Sequence, residues 1–126
     1  LSFASRSSSK IKSFRVHFSS HSGGTCLFEG TVSLSDEYDR SSYCYEVHYD
    51  EKHWLPRSSS ILRSMLKFKQ GCGTFSFSMT PLNHALSFHN VPRVSILKCF
   101  ESSSGDFSEV ACTVAISSID KGENKK

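Results

Sequence analysis

The chain has 126 residues, of which 21% are charged, with a formal net charge of +3 and a pI near 8.6. That length supports one domain with a core of its own, without metals or disulfides as staples. The mild basicity argues against a dedicated nucleic-acid binder, in which basic residues cluster more heavily, and no apolar run is long enough for a signal peptide or a membrane span.

Serine makes up about a fifth of the chain, which suits loops and solvent-facing strand positions rather than long helices, because its hydroxyl competes for backbone hydrogen bonds. Residues 1–10 and 120–126 read as polar tails, and residues 11–119 as a single β-rich domain. A chain that starts at Leu1 is expected to be part of a longer protein. The cysteines, Cys26, Cys44, Cys72, Cys99 and Cys112, are odd in number, evenly scattered and without a CxxC pair, a poor disulfide framework. There is also no Asn-x-Ser/Thr sequon, and both features favour an intracellular, reducing compartment, cytoplasmic or nuclear.

Period-2 alternation then recurs along the chain, the signature of half-buried strands. In SFRVHF, Phe14, Val16 and Phe18 share a face; Gly23 and Gly24 follow, suited to a positive-φ turn. In TCLFEGTVSL the shared face holds Cys26, Phe28, Gly30, Val32 and Leu34, and in YCYEVHY it holds Tyr43, Tyr45, Val47 and Tyr49. RSSSILRSMLKFKQG breaks the pattern: Ile61, Leu62, Met65 and Leu66 are at helical spacing, serines precede them and Gly71 follows as a stop. The spacing predicts a short α-helix at about 58–70, with another strand as the competing reading. Strands resume in TFSFSM, HALSFH, VSILKCF and EVACTVAI. The predicted fold is all-β, with seven or eight mostly antiparallel strands in a sandwich or barrel and one inserted helix. Its predicted core is Phe14, Val16, Phe28, Val32, Tyr45, Val47, Leu66, Phe75, Phe77, Leu86, Phe88, Val94, Ile96, Val110, Val114 and Ile116.

YCYEVHYDEKHWLP is the densest stretch chemically. Its polar set, Cys44, Glu46, His48 and Asp50, alternates and would share one strand face. Along a strand, Cys44 and His48 stand roughly 13 Å apart, whereas zinc ligands lie about 2 Å from the ion, so the four cannot hold one ion without ligands from elsewhere. No GxSxG, HExxH or paired-carboxylate motif is present, GCG at Gly71–Gly73 reads as a turn, and SGGT lacks the lysine of a P-loop. Neither catalysis, a metal nor a cofactor is expected.

The stretch FEGTVSLSDEYDRSSYCYEVHYDEKHW resembles the Tudor and Agenet families: an aromatic before a glycine-containing strand, a polar turn, then a Y-x-V-x-Y-D strand. The resemblance implies a cage for methylated lysine or arginine, held by cation–π attraction, at Phe28, Tyr49, Glu51 and His53 or Trp54. The leading expectation is broader: a non-catalytic module of a larger intracellular protein, binding a protein or peptide through a sheet face, an edge or its loops. A methyl-ligand reader and a secreted or viral-surface sandwich with disulfides are the alternatives. Nucleic acid is a less favoured partner, no membrane is implied, and the oligomeric state is not legible.

Overall fold

The computed structural model describes residues 10–56, 62–99 and 108–116. Among these described residues, nine strands form two antiparallel sheets packed as a sandwich. The first sheet runs β1 (Ile11–Ser22), β2 (Thr25–Leu34), β7 (Cys72–Pro81) and β4 (Trp54–Pro56), with β6 (Phe68–Lys69) also on β7. The second runs β5 (Arg63–Leu66), β3 (Ser42–His48), β8 (Arg93–Cys99) and β9 (Ser108–Ala115). A short helix, α1 (His84–His89), joins β7 to β8 and so passes from one sheet to the other.

Gly23 and Gly24, at φ +60° and +78°, turn β1 into β2, with Ser22 paired to Thr25. Two positive-φ residues in a two-residue loop match the right-handed twist of the flanking strands. The same device recurs where the sequence suggested a helix stop. Gln70 (φ 55°) and Gly71 (φ 78°) turn β6 into β7, with Lys69 paired to Cys72.

The helix expected at about 58–70 is therefore corrected. Residues 58–61 lie outside the described residues, and Arg63–Lys69 is extended. Leu62, Leu66 and Phe68 also fit period 2, and that period prevails: Leu66 is buried while Leu62 and Phe68 pack against the core. The deciding term is backbone satisfaction, because the outer edge of β3 and one end of β7 need partners. β5 supplies β3 and β6 supplies β7, so one short segment laces the two sheets together.

The reverse correction applies to HALSFH, expected as a strand and found as α1. Asn83 caps it: its side chain accepts the Leu86 N–H at 3.2 Å, and its carbonyl accepts from Ser87 N at 2.7 Å. A capping Asn outweighs the weak alternation of so short a run. Helical rotation also separates Leu86 from Phe88. Leu86 is exposed, against expectation, while Phe88 stays partly buried.

Of the other predicted core residues, Val110 is exposed and Phe75 only partly buried. Val110 is displaced by a β-bulge: Ile96 pairs with Cys112 but Leu97 with Val110, so Ala111 is the extra residue and the face alternation inverts. The rest are buried, joined by Cys26, Leu34, Tyr43, Trp54, Met79 and Cys112. The inner face of YCYEVHY is thus Tyr43, Tyr45 and Val47, and Cys44, Glu46 and His48 point outward. Aromatic rings run through the core. Phe28 meets Phe18 and Trp54 edge-on and stacks on Phe77, and Phe75 stacks on Tyr45 with centroids 4.2 Å apart.

The crossing from β2 to β3 is fastened by Asp39. Its carboxylate accepts from Ser41 N (2.8 Å) and Tyr43 Oη (3.0 Å), with Lys10 Nζ at 3.9 Å. Desolvation pushes the carboxyl up, but these hydrogen bonds and the lysine together hold it below its usual value. A native pKa below the unfolded value, about 3.9, adds stability above that pH and loses it as pH falls through the native pKa. Denaturant titrations of the wild type and Asp39→Asn are expected to show the wild type more stable at pH 7, with the difference shrinking as pH falls below about 4 and the carboxyl takes up its proton. A pH-independent difference would count against this assignment.

Candidate functional site at the helical end

The stretch that leaves β3 builds a turn around Asp50. Its side chain accepts Lys52 N at 2.9 Å and lies 3.1 Å from His53 Nδ1, while its carbonyl accepts from His53 N and Trp54 N. This is an Asx-type turn, in which a short acidic side chain substitutes for backbone. The Lys52 N–H, followed by His53, keeps the Asp50 carboxyl below its ordinary range.

That turn delivers Trp54 to the core. Trp54 is fully buried, and its Nε1 donates to both Ser87 O (3.1 Å) and Asn90 O (2.8 Å). Ser87, also fully buried, donates from Oγ to His53 O, which accepts from Leu82 N as well. One indole and one hydroxyl therefore hold α1 across the end of the sandwich. On the outer face of the second sheet, His48 Nε2 lies 2.9 Å from Ser95 Oγ, and Ser95 Oγ lies 2.8 Å from Thr113 Oγ1. That chain ties β3, β8 and β9 side by side.

Between the Asp50 turn, the end of α1 and the start of β8 lies a cleft of about 320 Å³, lined by His48, Tyr49, Asp50, Asn90, Val91 and Arg93. The Arg93 guanidinium has no ion-pair partner among the described residues. Asp50 accepts Lys52 N and lies beside His53 but stays ionised, so the cleft carries a negative and a positive charge, Asp50 and Arg93, on its lining. At the same end, three leucines face water: Leu55 is 46% exposed, Leu82 49% and Leu86 52%. Leu55 lies opposite Thr80, and the Leu82 N–H bond to His53 O carries the β4–β7 pairing one step further, so Leu55 and Leu82 are diagonal neighbours on the outward face.

The expected cage is not assembled. Phe28 and Trp54 are fully buried and in ring contact, so neither offers a face to a cation arriving from solvent. The other three do gather at the helical end: Tyr49 lines the cleft, Glu51 is exposed on the turn, and His53 braces Asp50. Sequence reasoning missed Arg93, Asn90 and the leucines. Recognising Asn83 as a helix cap would have turned Leu86 outward.

No protein-family model matches this chain, and no curated protein or solved structure matches it. Among the described residues, no group of three or more His, Cys, Asp or Glu side chains is placed to hold a metal ion. No helix among them is long and apolar enough to cross a membrane. The five cysteines are free thiols.

Proposed function

We propose that this domain is a non-catalytic protein-interaction module of a larger intracellular protein, and that it docks its partner on the helical end of the sandwich. The observation that carries this reading is the trio Leu55, Leu82 and Leu86, each about half exposed on neighbouring elements. Grouped apolar exposure on a folded domain marks an interaction surface more often than scattered single residues do. The trio stands on well-anchored backbone, because Trp54 and Ser87 pin α1 beneath it. Such a surface accepts a partner with little loss of its own freedom.

The cleft adds selectivity. An acidic side chain of the partner fits beside Arg93, whose guanidinium has no ion-pair partner among the described residues. Aspartate substitution tests the site. Leu82→Asp and Leu55→Asp are expected to weaken capture of the protein's partners by about tenfold or more, the usual range for a central apolar anchor. Arg93→Glu is expected to weaken it too, with a reduced salt dependence. Tyr38→Ser removes another exposed apolar ring, at a distant crossing, and serves as the control. Partners retained equally by the wild type, the leucine variants and the control would refute the site.

A further inference from the structure

The outer face of the second sheet carries a feature that the docking reading does not use. Cys44 on β3 and Cys99, the last residue of β8, bring their sulfurs to 3.4 Å. They are diagonal rather than opposite: Cys44 pairs with Leu97, and Cys99 with Ser42. Arg63, on the neighbouring strand β5, stands opposite Glu46 and so shares this outer face with Cys44, with Glu46 Oε2 3.8 Å from its Nη1. No other cysteine shares this arrangement: Cys26 and Cys112 are buried and point inward, and Cys72 sits exposed at the β6–β7 turn.

We infer that Cys44 and Cys99 form an oxidisable dithiol that closes to a reversible intramolecular disulfide when it meets a hydroperoxide. Cys99 is the better exposed of the two and receives the oxidant first. Its sulfur attacks the terminal peroxide oxygen, the O–O bond breaks, and Cys99 becomes a sulfenic acid while the departing alkoxide or hydroxide takes the thiol proton and leaves as alcohol or water. The Cys44 sulfur then attacks the Cys99 sulfur and expels hydroxide, which takes the Cys44 proton and departs as water. The sulfurs have lost two electrons in all and the peroxide has gained them. Arg63 favours the second step by stabilising negative charge as it develops on Cys44. Burial, followed by the neighbouring Cys99, pushes the Cys44 thiol up to about 11, so in the absence of oxidant it rests protonated and quiet.

Geometry makes the bond closable and also labile. The sulfurs must approach from 3.4 Å to about 2.05 Å, and the pair lies at the end of the ladder, where Ser42, Cys99 and Ser108 form the last rung. A diagonal bridge still pulls on the sheet, and strained disulfides are the readily reduced, regulatory ones. The site is about 20 Å along β8 from Arg93, so the two proposals stand or fall separately.

The test uses the full chain, folded, treated with hydrogen peroxide and then alkylated and mapped by mass spectrometry. The expected product has lost two hydrogens, contains a Cys44–Cys99 crosslink that a monothiol reductant reverses, and forms about tenfold faster than oxidation of Cys26 or Cys112. Cys44→Ser is expected to leave a Cys99 sulfenic acid that dimedone traps, and Arg63→Gln to slow the crosslink without blocking that trapping. A Cys72→Ser background removes adducts at the exposed thiol. Sulfinic acid at Cys99 with Cys44 still alkylatable, or crosslinking only after denaturation, would overturn the proposal.

Discussion

Trp54→Ala is expected to destabilise the domain by about 3–5 kcal/mol, the range for removing a large buried aromatic. Two losses coincide. The indole fills the space between Phe28 and Phe88, which it meets edge-on at 5.8 and 5.3 Å. Its Nε1 is the donor to two carbonyls at the end of α1, Ser87 O and that of the C-cap Asn90. Typical domains have only about 5–15 kcal/mol of stability, so the variant should unfold at much lower denaturant. Far-UV circular dichroism during urea titration is the right readout, because the substitution removes the only tryptophan of the chain. Trp54→Phe separates the contributions: it keeps a ring but leaves the two carbonyls without the indole donor, at about 1–3 kcal/mol. If both variants melt like the wild type, the clamp on α1 is not what the geometry indicates.

The second large effect is expected at Gly30. A Cβ there would stand 2.2 Å from Phe75 Cζ and 2.5 Å from its Cε1. Gly30 and Phe75 are paired across β2 and β7, and the Phe75 ring lies over the glycine because no side chain occupies that spot. The ring is not free to swing aside, since it is stacked on Tyr45 (4.2 Å, 14°) and lies parallel to Phe77 at 6.4 Å. Gly30→Ala should cost about 1–3 kcal/mol through overpacking, and Gly30→Val more. The test of mechanism is a double-mutant cycle with Phe75→Leu. Coupling of about 0.5–3 kcal/mol in the direction of rescue is expected from a shared steric cause, whereas simple additivity would mean that the cost arises elsewhere.

Much of this architecture was legible in the sequence because strands with one wet face write their period into the chain. Phe14, Val16, Phe28 and Val32 were assigned inward by alternation alone, and Gly23–Gly24 announced its turn. The errors share a physical origin. RSMLKFK fits two periods equally, and the choice fell to unpaired edges on β3 and β7, which are partners distant in sequence. HALSFH is too short for either period to decide, and the capping oxygen of Asn83 settled it. Val110 was misplaced by a single bulged residue, Ala111, which local pattern does not reveal. Tyr49, Glu51 and His53 stand together at the helical end, whereas Trp54, grouped with them by the resemblance, is fully buried. Its partners, the carbonyls of Ser87 and Asn90, belong to a helix and its C-cap, where alternation reads a strand.

The pairing of β2 with β7 and of β3 with β8 has a consequence for synthesis. On a ribosome adding about 5–20 residues per second, β1 and β2 emerge several seconds before β7 does. During that interval the first hairpin can form, but Phe14, Val16, Phe28 and Val32 have no opposing layer. The nascent chain therefore presents one greasy face to its surroundings until its second half arrives. The hairpin that begins the fold is also the segment most in need of a chaperone while the fold is made.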